Sequence, residues 1–231
     1  MPDWVITEDA ARQYEVGMLK TGKEADVHLV ERHLGDRVNL LAAKRYRAFE
    51  ERMFRNDARY RRRVGDRRVQ LAMDRGTSAG MEFRAALWVE TEFTVLSRLW
   101  ESGAAVPYPV QRLGNELLLE YVGTREAAAP RLVHARVERE QLPALFDQFV
   151  ETLTLFLVND VVHGDLSPYN VLLWEGRLVF IDFPQTVDPL AHPEGLRLLE
   201  HDVTTMCNWF TRKGIECNAS DVLADLMGHL F

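Results

Sequence analysis

Cysteine is scarce in this sequence, and so are long apolar runs. The 231 residues include two cysteines, Cys207 and Cys217, too few for a disulfide framework or a four-ligand zinc site. No stretch approaches the roughly 20 consecutive apolar residues that cross a bilayer. The N-terminal MPDWVITEDAAR also lacks the basic and then apolar pattern of a signal peptide. We therefore expect a cytoplasmic chain with reduced thiols and no membrane association.

The overall composition is that of an ordinary globular protein. Hydrophobic residues make up 47% of the chain and charged residues 27%, as in typical soluble domains. The length suits one large domain or two small lobes that share a cleft.

Positive charge is concentrated in one part of the chain, although the net charge is −7. Residues 44–75 contain 12 Lys and Arg against 5 Asp and Glu, and the densest part runs from Arg59 to Arg68. Such a run is either a solvated face or a patch for an anionic partner, RNA or an acidic protein surface. Between residues 50 and 75 only Phe54 and Tyr60 could stack on bases, which weakens the RNA interpretation.

A near-match to a phosphate-binding P-loop lies close to the N-terminus. Gly17, Gly22 and Lys23 have the spacing G-x-x-x-x-G-K, but Glu24 stands where Ser or Thr would ligate magnesium. A true P-loop leads into a helix, whereas this one leads into ADVHLVE, whose pattern predicts a strand. We therefore interpret it as a turn between two strands that covers nucleotide phosphates as a lid.

A lysine and a glutamate further along are predicted to pair. Lys44 ends the predicted strand RVNLLAAKRY. The stretch EFRAALWVETEFTVLSRLWESG predicts an amphipathic helix, in which Glu92 shares the inward face with Trp88 and Leu96. A glutamate that faces a core needs a positive partner, and Lys44 is the candidate.

The most informative stretch is VVHGDLSPYNVLLWEGRLVFIDF. His163, Asp165 and Asn170 have the kinase spacing H-x-D-x-x-x-x-N, and Asp182 follows a predicted strand. Phosphoryl transfer needs a carboxylate for the acceptor, hard oxygen ligands for magnesium and a lysine on the phosphates. The set with Lys44 upstream predicts an ATP-dependent phosphotransferase.

With these motifs in order, the chain resembles the RIO family of atypical protein kinases over nearly its whole length. The resemblance rests on KTGKEADV, LAAKRY, WVETEF, HGDLSPYN and FIDFPQTVD. It implies an α+β, protein-kinase-like two-lobed fold, with a small antiparallel-sheet N-lobe and a reduced helical C-lobe. One departure is Pro184, where the family usually has serine.

The resemblance also implies roles for individual residues. Asp165 corresponds to the catalytic base, Lys44 and Glu92 to the catalytic ion pair, and Asn170 and Asp182 to the ligands of Mg²⁺ or Mn²⁺.

Nucleotide contacts and phosphorylation sites follow from the same resemblance. The backbones of Glu120 and Val122 would contact adenine. The full set implied for ATP binding is Thr21, Gly22, Lys23, Glu24, Lys44, Glu120 and Val122. The candidate phosphorylation sites are Asp182, Thr77 and Ser78.

The expected lobes are residues 1–119, with a basic flexible loop at about 47–80, and residues 120–231, with the hinge, catalytic loop and metal segment. ATP with magnesium is expected in the cleft near Glu120.

The segment after Asp182 is predicted to enter a helix within about ten residues, with no activation segment or A-P-E motif. On that helix, Asp202 could brace the catalytic loop.

Three functions stay open at this point. The first is phosphoryl transfer to Ser or Thr of an unknown protein, including autophosphorylation, with ATP hydrolysis as a switch. The second is a small-molecule phosphotransferase of the aminoglycoside or choline kinase type, although only about 45 residues follow Asp182 to build an acceptor pocket. The third is a nucleotide-gated scaffold that binds RNA or protein.

Overall fold

The computed structural model describes residues 1–22, 25–47 and 78–230. Within these ranges the chain forms seven strands and four α-helices, so the predicted α+β class is confirmed. It divides into two compact units, which we call unit 1 (Met1–Thr94 and Tyr108–Tyr121) and unit 2 (Val95–Pro107 and Val122–Phe231).

Unit 1 contains an antiparallel sheet with the strand order β1-β2-β3-β5-β4. Its strands are β1 Arg12–Thr21, β2 Ala25–Leu34, β3 Arg37–Tyr46, β4 Pro109–Leu113 and β5 Glu116–Glu120. The predicted strand–turn–strand path around the near-P-loop is confirmed, because β1 leads directly into β2.

One face of this sheet is apolar and packs into a core. Strands β2 and β3 join at Gly35, whose φ of 57° is readily adopted by glycine in a tight turn. Alternate side chains of β3 point inward, as the period-2 pattern requires. The core cluster consists of Val5, Val30, Leu41, Ala43, Val110 and Leu118.

Strand β4 is the element of unit 1 that the sequence pattern did not indicate. Its first residue is Pro109, and β4 lies at the edge of the sheet next to β5. Proline is compatible with the first residue of an edge strand, because its missing N–H faces no partner there.

Helix α1 runs from Ser78 to Glu101, earlier at its start than the apolar pattern indicated. It ends before Gly103, whose N–H donates to the Trp100 carbonyl at 3.0 Å and whose φ is 86°. Most of the predicted basic loop, including Arg59–Arg68 and Thr77, lies outside the described residues. Ser78, predicted to belong to that loop, is the first residue of α1.

Unit 2 is mainly helical. Its helices are α2 Leu142–Val158, α3 Gly195–Lys213 and α4 Ala219–Met227, and a hairpin is formed by β6 Val171–Trp174 and β7 Arg177–Phe180. An aromatic core joins α2 to α3 and to the hairpin, with ring centroids 5.2–6.1 Å apart. Its fully buried members are Phe149, Phe156, Phe180, Phe183 and Phe210.

Among the described residues, no helix is both long enough and apolar enough to cross a bilayer.

Candidate active site

The predicted ion pair of unit 1 is present in the structure. Lys44 Nζ lies 2.8 Å from Glu92 Oε1 and 3.0 Å from Oε2, and both side chains are buried. Lys44 lies in the middle of the sheet, paired with Val27 on β2 and Leu117 on β5. Glu92 projects from α1 on the face that also buries Trp88. Strand β3 therefore fixes the position of Lys44, and helix α1 fixes that of Glu92.

Tyr46 is a third member of this cluster that sequence reasoning missed. Its hydroxyl donates to Glu92 Oε2, its ring lies 5.1 Å below Lys44 Nζ, and it packs on Trp88. The signal was available, because residues two apart on a strand share a face and Tyr46 follows Lys44 by two. Glu92 thus accepts from two donors, as a buried carboxylate requires.

Two of the residues predicted to cover the phosphates, Thr21 and Gly22, lie at the end of β1, before β2 begins. Thr21 is the last residue of β1, and the Gly22 N–H donates to the Ala25 carbonyl at 3.0 Å. A Cβ at Gly22 would come within 2.9 Å of that oxygen, so the tight turn needs glycine. Lys23 and Glu24, predicted to contact phosphates, lie outside the described residues.

Glu120 ends strand β5 in unit 1. Its N–H donates to the Tyr108 carbonyl at 2.8 Å, and its Oε2 accepts from the Tyr108 N–H at 3.0 Å. Burial raises the pKa of this carboxyl, and the Tyr108 N–H partly opposes the shift. In unit 2, the Val122 carbonyl accepts from the Ala129 N–H at 3.0 Å. These bonds use the N–H of Glu120 and the C=O of Val122.

His163 anchors the predicted catalytic loop, which runs from His163 to Asn170 in unit 2. It is buried, its Nε2–H donates to the Ile181 carbonyl at 3.1 Å, and its Nδ1 accepts from the Asp165 N–H at 3.4 Å. The ring also packs on Phe183, with centroids 4.8 Å apart.

Asp202 on α3 is hydrogen-bonded to the backbone of the same loop, as the sequence suggested it could be. Its two carboxylate oxygens accept from the N–H groups of Gly164 and Leu166 at 2.7 and 2.8 Å. Burial raises the pKa of Asp202, while the nearby His163 and the two N–H groups oppose the rise. The loop backbone is therefore fixed on both sides of Asp165.

Asp165 and Asn170 are brought together by this loop. Asp165 is exposed, and the Asn170 Nδ2 donates to the Asp165 carbonyl at 2.8 Å and to its Oδ2 at 3.3 Å. Because the amide nitrogen faces Asp165, the amide oxygen of Asn170 is the atom left to ligate a cation.

The register of the β6–β7 hairpin places Asn170 beside Ile181 and the start of the predicted metal segment, residues 180–188. Val171 pairs with Phe180, so Asn170 and Ile181 face each other at the open end, where the Ile181 N–H donates to the Asn170 carbonyl at 2.9 Å. Asp182 is the next residue and has a φ of 74°, a conformation that an aspartate tolerates better than most residues do.

Asn170 and Asp182 fit a magnesium site in which the phosphates of the substrate supply some of the ligands. Among the residues that the structure describes, no cluster of three or more His, Cys, Asp or Glu side chains could hold a metal by itself. Asn170 and Asp182 offer two hard oxygen donors. Mg²⁺ is typically held by one or two protein ligands together with substrate phosphates and water.

The chain after the metal segment forms a compact turn instead of an activation segment. Asp188 Oδ1 accepts from the N–H groups of Leu190 and Ala191 at 2.9 and 2.7 Å. Helix α3 then begins at Gly195, where a Cβ would lie 2.3 Å from the Pro189 carbonyl oxygen. The chain between Asp188 and α3 is therefore tightly packed.

Comparison with known proteins agrees with this arrangement. A RIO domain family model matches residues 27–222. A RIO-type serine/threonine-protein kinase Rio1 from Haloferax volcanii is 34% identical over 214 residues, covering 92% of this chain and 68% of that protein. One from Thermoplasma acidophilum is 32% identical over 136 residues, 59% of this chain and 70% of that protein.

A eukaryotic relative is also similar over most of the chain. The serine/threonine-protein kinase RIO1 of Chaetomium thermophilum is 31% identical over 212 residues, covering 87% of this chain and 40% of that protein. On the family match and the archaeal relatives, this chain belongs to the RIO family of protein kinases.

Proposed function

We propose that the chain transfers the γ-phosphoryl group of ATP to serine or threonine of a protein acceptor, itself included, in a magnesium-dependent reaction. The observation that carries the proposal is the catalytic loop. The His163 and Asp202 hydrogen bonds hold it, and it presents an exposed Asp165 hydrogen-bonded to Asn170.

Each residue has one task in this proposal. Asp165 accepts the proton of the attacking hydroxyl or orients it. Asn170 and Asp182 ligate Mg²⁺ or Mn²⁺, which would neutralise phosphate charge when bound. Lys44, held by Glu92, binds the phosphates, and the turn from Thr21 to Glu24 covers them.

The nucleotide base is proposed to lie against the backbones of Glu120 and Val122. The lobe boundaries at residues 1–119 and 120–231 stay predictions, as do a cytoplasmic location and phosphorylation of Asp182, Thr77 or Ser78. An RNA or acidic partner at Arg59–Arg68 stays a prediction from charge alone.

ATP hydrolysis as a conformational switch is a second candidate reaction. The compact turn at residues 188–195 favours it, because a short segment after Asp182 covers less of Asp165 and excludes less water from it. Incubation with γ-labelled ATP separates the two reactions, since hydrolysis yields free labelled phosphate and transfer yields labelled protein.

The test is an Asp165→Asn variant, which keeps the size of the side chain and removes the base. We expect turnover of ATP to fall by about 10²-fold or more, in line with the typical contribution of a general base, while nucleotide affinity stays within about threefold of the parent chain. Unchanged turnover would remove Asp165 from its assigned role.

A further inference from the structure

Residues 127–137 of unit 2 run alongside the catalytic loop and are hydrogen-bonded to it. The Val133 N–H donates to the Pro168 carbonyl at 3.0 Å, and the Leu132 N–H donates to the Val171 carbonyl at 2.8 Å. This segment therefore forms a fixed border of the loop that carries Asp165.

Tyr169 presents an aromatic ring on this border. Its side chain is 53% exposed, although it belongs to a loop that is otherwise well anchored. Its carbonyl accepts from the Arg131 guanidinium at 2.8 Å, and its ring meets that of His134 edge to face, with centroids 6.0 Å apart. A large aromatic side chain that is held in place and exposed is typical of a contact surface.

The formal charge of residues 127–137 is positive. This stretch contains Arg131 and Arg136, together with His134, and no Asp or Glu, in a chain whose net charge is −7 with histidine neutral. His134 and Arg136 are exposed. A guanidinium carries five N–H donors, and the bond to Tyr169 engages one nitrogen of Arg131.

A phosphoacceptor must approach Asp165, Asp182 and the phosphates of ATP, which together repel a negatively charged protein. Residues 183–195, which follow Asp182, contain no Lys or Arg that could compensate this charge. Basic side chains beside the loop reduce that repulsion for an acceptor whose serine or threonine is flanked by carboxylates.

We propose that residues 127–137 together with Tyr169, which we call the acceptor strap, bind an acidic segment of the protein acceptor next to its phosphorylated serine or threonine. The inference rests on the proposed function and adds the class of substrate. Tyr169 contacts the acceptor chain, Arg131 and Arg136 pair with its carboxylates, and the imidazole of His134 donates a hydrogen bond to it.

The test uses the full chain with ATP and magnesium and three fluorescent peptides that share one central serine. The serine is flanked by Glu, by Gln or by Lys. Binding is followed by fluorescence anisotropy and phosphorylation by label from γ-labelled ATP. The variant His134→Gln/Arg136→Gln removes the exposed imidazole and the exposed guanidinium charge of the strap, and Arg212→Gln, exposed near the end of α3, is the matched control.

We expect the Glu peptide to bind tightest, and the double variant to weaken its binding by about three- to tenfold, the range for exposed charge pairs. ATP hydrolysis without peptide should stay within about twofold, because neither residue belongs to the catalytic set. The preference should also shrink as salt is raised.

Equal binding of the Glu and Gln peptides would overturn the proposal, as would an equal loss in Arg212→Gln. If an oligouridylate binds with the same dependence on His134 and Arg136 while no peptide does, the surface is a nucleic-acid site and the proposal is wrong. A preference for the Glu peptide without any ATP turnover would support the strap and refute the proposed phosphoryl transfer.

Discussion

At the scale of single residues, the catalytic loop depends on a glycine that allows two backbones to touch. Gly164 has a φ of 80°, and a Cβ on it would lie 2.6 Å from the Gln185 carbonyl oxygen. The loop and the segment after Asp182 pack against each other at this point. The side chain missing from Gly164 thus helps to set how Asp165 and the metal segment are placed in unit 2.

Gly164→Ala tests this packing against a matched glycine. Gly176 has a similar φ of 75° but nothing within 4 Å of its missing Cβ, so Gly176→Ala should cost only the backbone strain, about 1–2 kcal/mol. Gly164→Ala should lower the free energy of unfolding by clearly more and reduce ATP turnover as well. Urea unfolding and a turnover assay measure both effects. Equal losses in the two variants would show that the close contact does not matter.

Tyr46 is a second residue whose contribution can be isolated. Tyr46→Phe keeps the ring that packs on Trp88 and removes the hydroxyl that donates to the buried Glu92. Hydrogen bonds to charged groups contribute roughly 1.5–3 kcal/mol, and we expect the free energy of unfolding to fall by about that much.

Denaturant unfolding of the nucleotide-free protein checks this value. Tyr14→Phe is the control, since Tyr14 is 49% exposed on β1 and should change stability by less than about 0.5 kcal/mol. A Tyr46→Phe variant as stable as Tyr14→Phe would mean that Glu92 does not depend on the hydroxyl.

At the scale of elements, the β6–β7 hairpin positions both proposed metal ligands. Asn170 precedes β6, and Asp182 follows β7 by two residues. An isolated two-stranded hairpin is marginally stable, so this one needs support. Helix α2 provides it through Gln148, whose Oε1 accepts from the Leu178 N–H at 2.8 Å and whose Nε2 donates to the Leu178 carbonyl at 3.0 Å.

Gln148→Leu should therefore loosen the hairpin. The change leaves the N–H and C=O of Leu178 without their partner, which costs about 1–3 kcal/mol, and amide hydrogen exchange of Leu178 should speed up. Glu151→Leu, exposed on the same helix, should leave that exchange rate unchanged. A Leu178 amide that exchanges equally slowly in both variants would contradict a supporting role for Gln148.

The elements also show which structural features sequence patterns can predict. Glu92 was placed correctly because the helical period of α1 puts it on the face of Trp88 and Leu96, and burial then demanded a cation. Strand β4 was missed because Pro109 obscures a short edge strand. The Gln148 contact had no sequence signal, since it joins a helix to a strand 30 residues away.

At the scale of the whole molecule, stability should depend on pH through Glu120. Burial raises the pKa of its carboxyl in the folded protein, so ionisation is less favourable there than in the unfolded chain, where glutamate has a pKa of about 4.3. The stabilising contribution of the protonated group is present below that value and is lost as the pH rises through the folded-state pKa.

Urea unfolding of the parent chain and Glu120→Gln across this range tests the sign. The Gln side chain stays neutral, so the parent should lose stability relative to the variant as the pH rises, and the difference should level off above the raised pKa. A difference that stays constant, or that changes in favour of the parent, would show that Glu120 is not disfavoured as a charged group.

The whole-molecule function was predictable from sequence to the level of a kinase family, because Asp165, Asn170 and Asp182 keep motif spacing. The bracing of their loop depended on tertiary contacts. Asp202 reaches Gly164 and Leu166 across about 36–38 residues of sequence. The sequence predicted only that Asp202 could approach the loop, and the structure supplied both hydrogen bonds.

In the proposed reaction, this chain moves the γ-phosphoryl group of ATP by means of Asp165. The most direct measurement incubates the purified chain with γ-labelled ATP and magnesium and follows label on protein and in free phosphate, beside Asp165→Ala. We predict label in one or both fractions, abolished in the variant, with acid stability separating phosphoserine or phosphothreonine from phosphoaspartate. Equal label in the parent chain and in Asp165→Ala would show that Asp165 is not needed for the transfer, and no label in either despite bound nucleotide would show that the chain does not transfer the phosphoryl group.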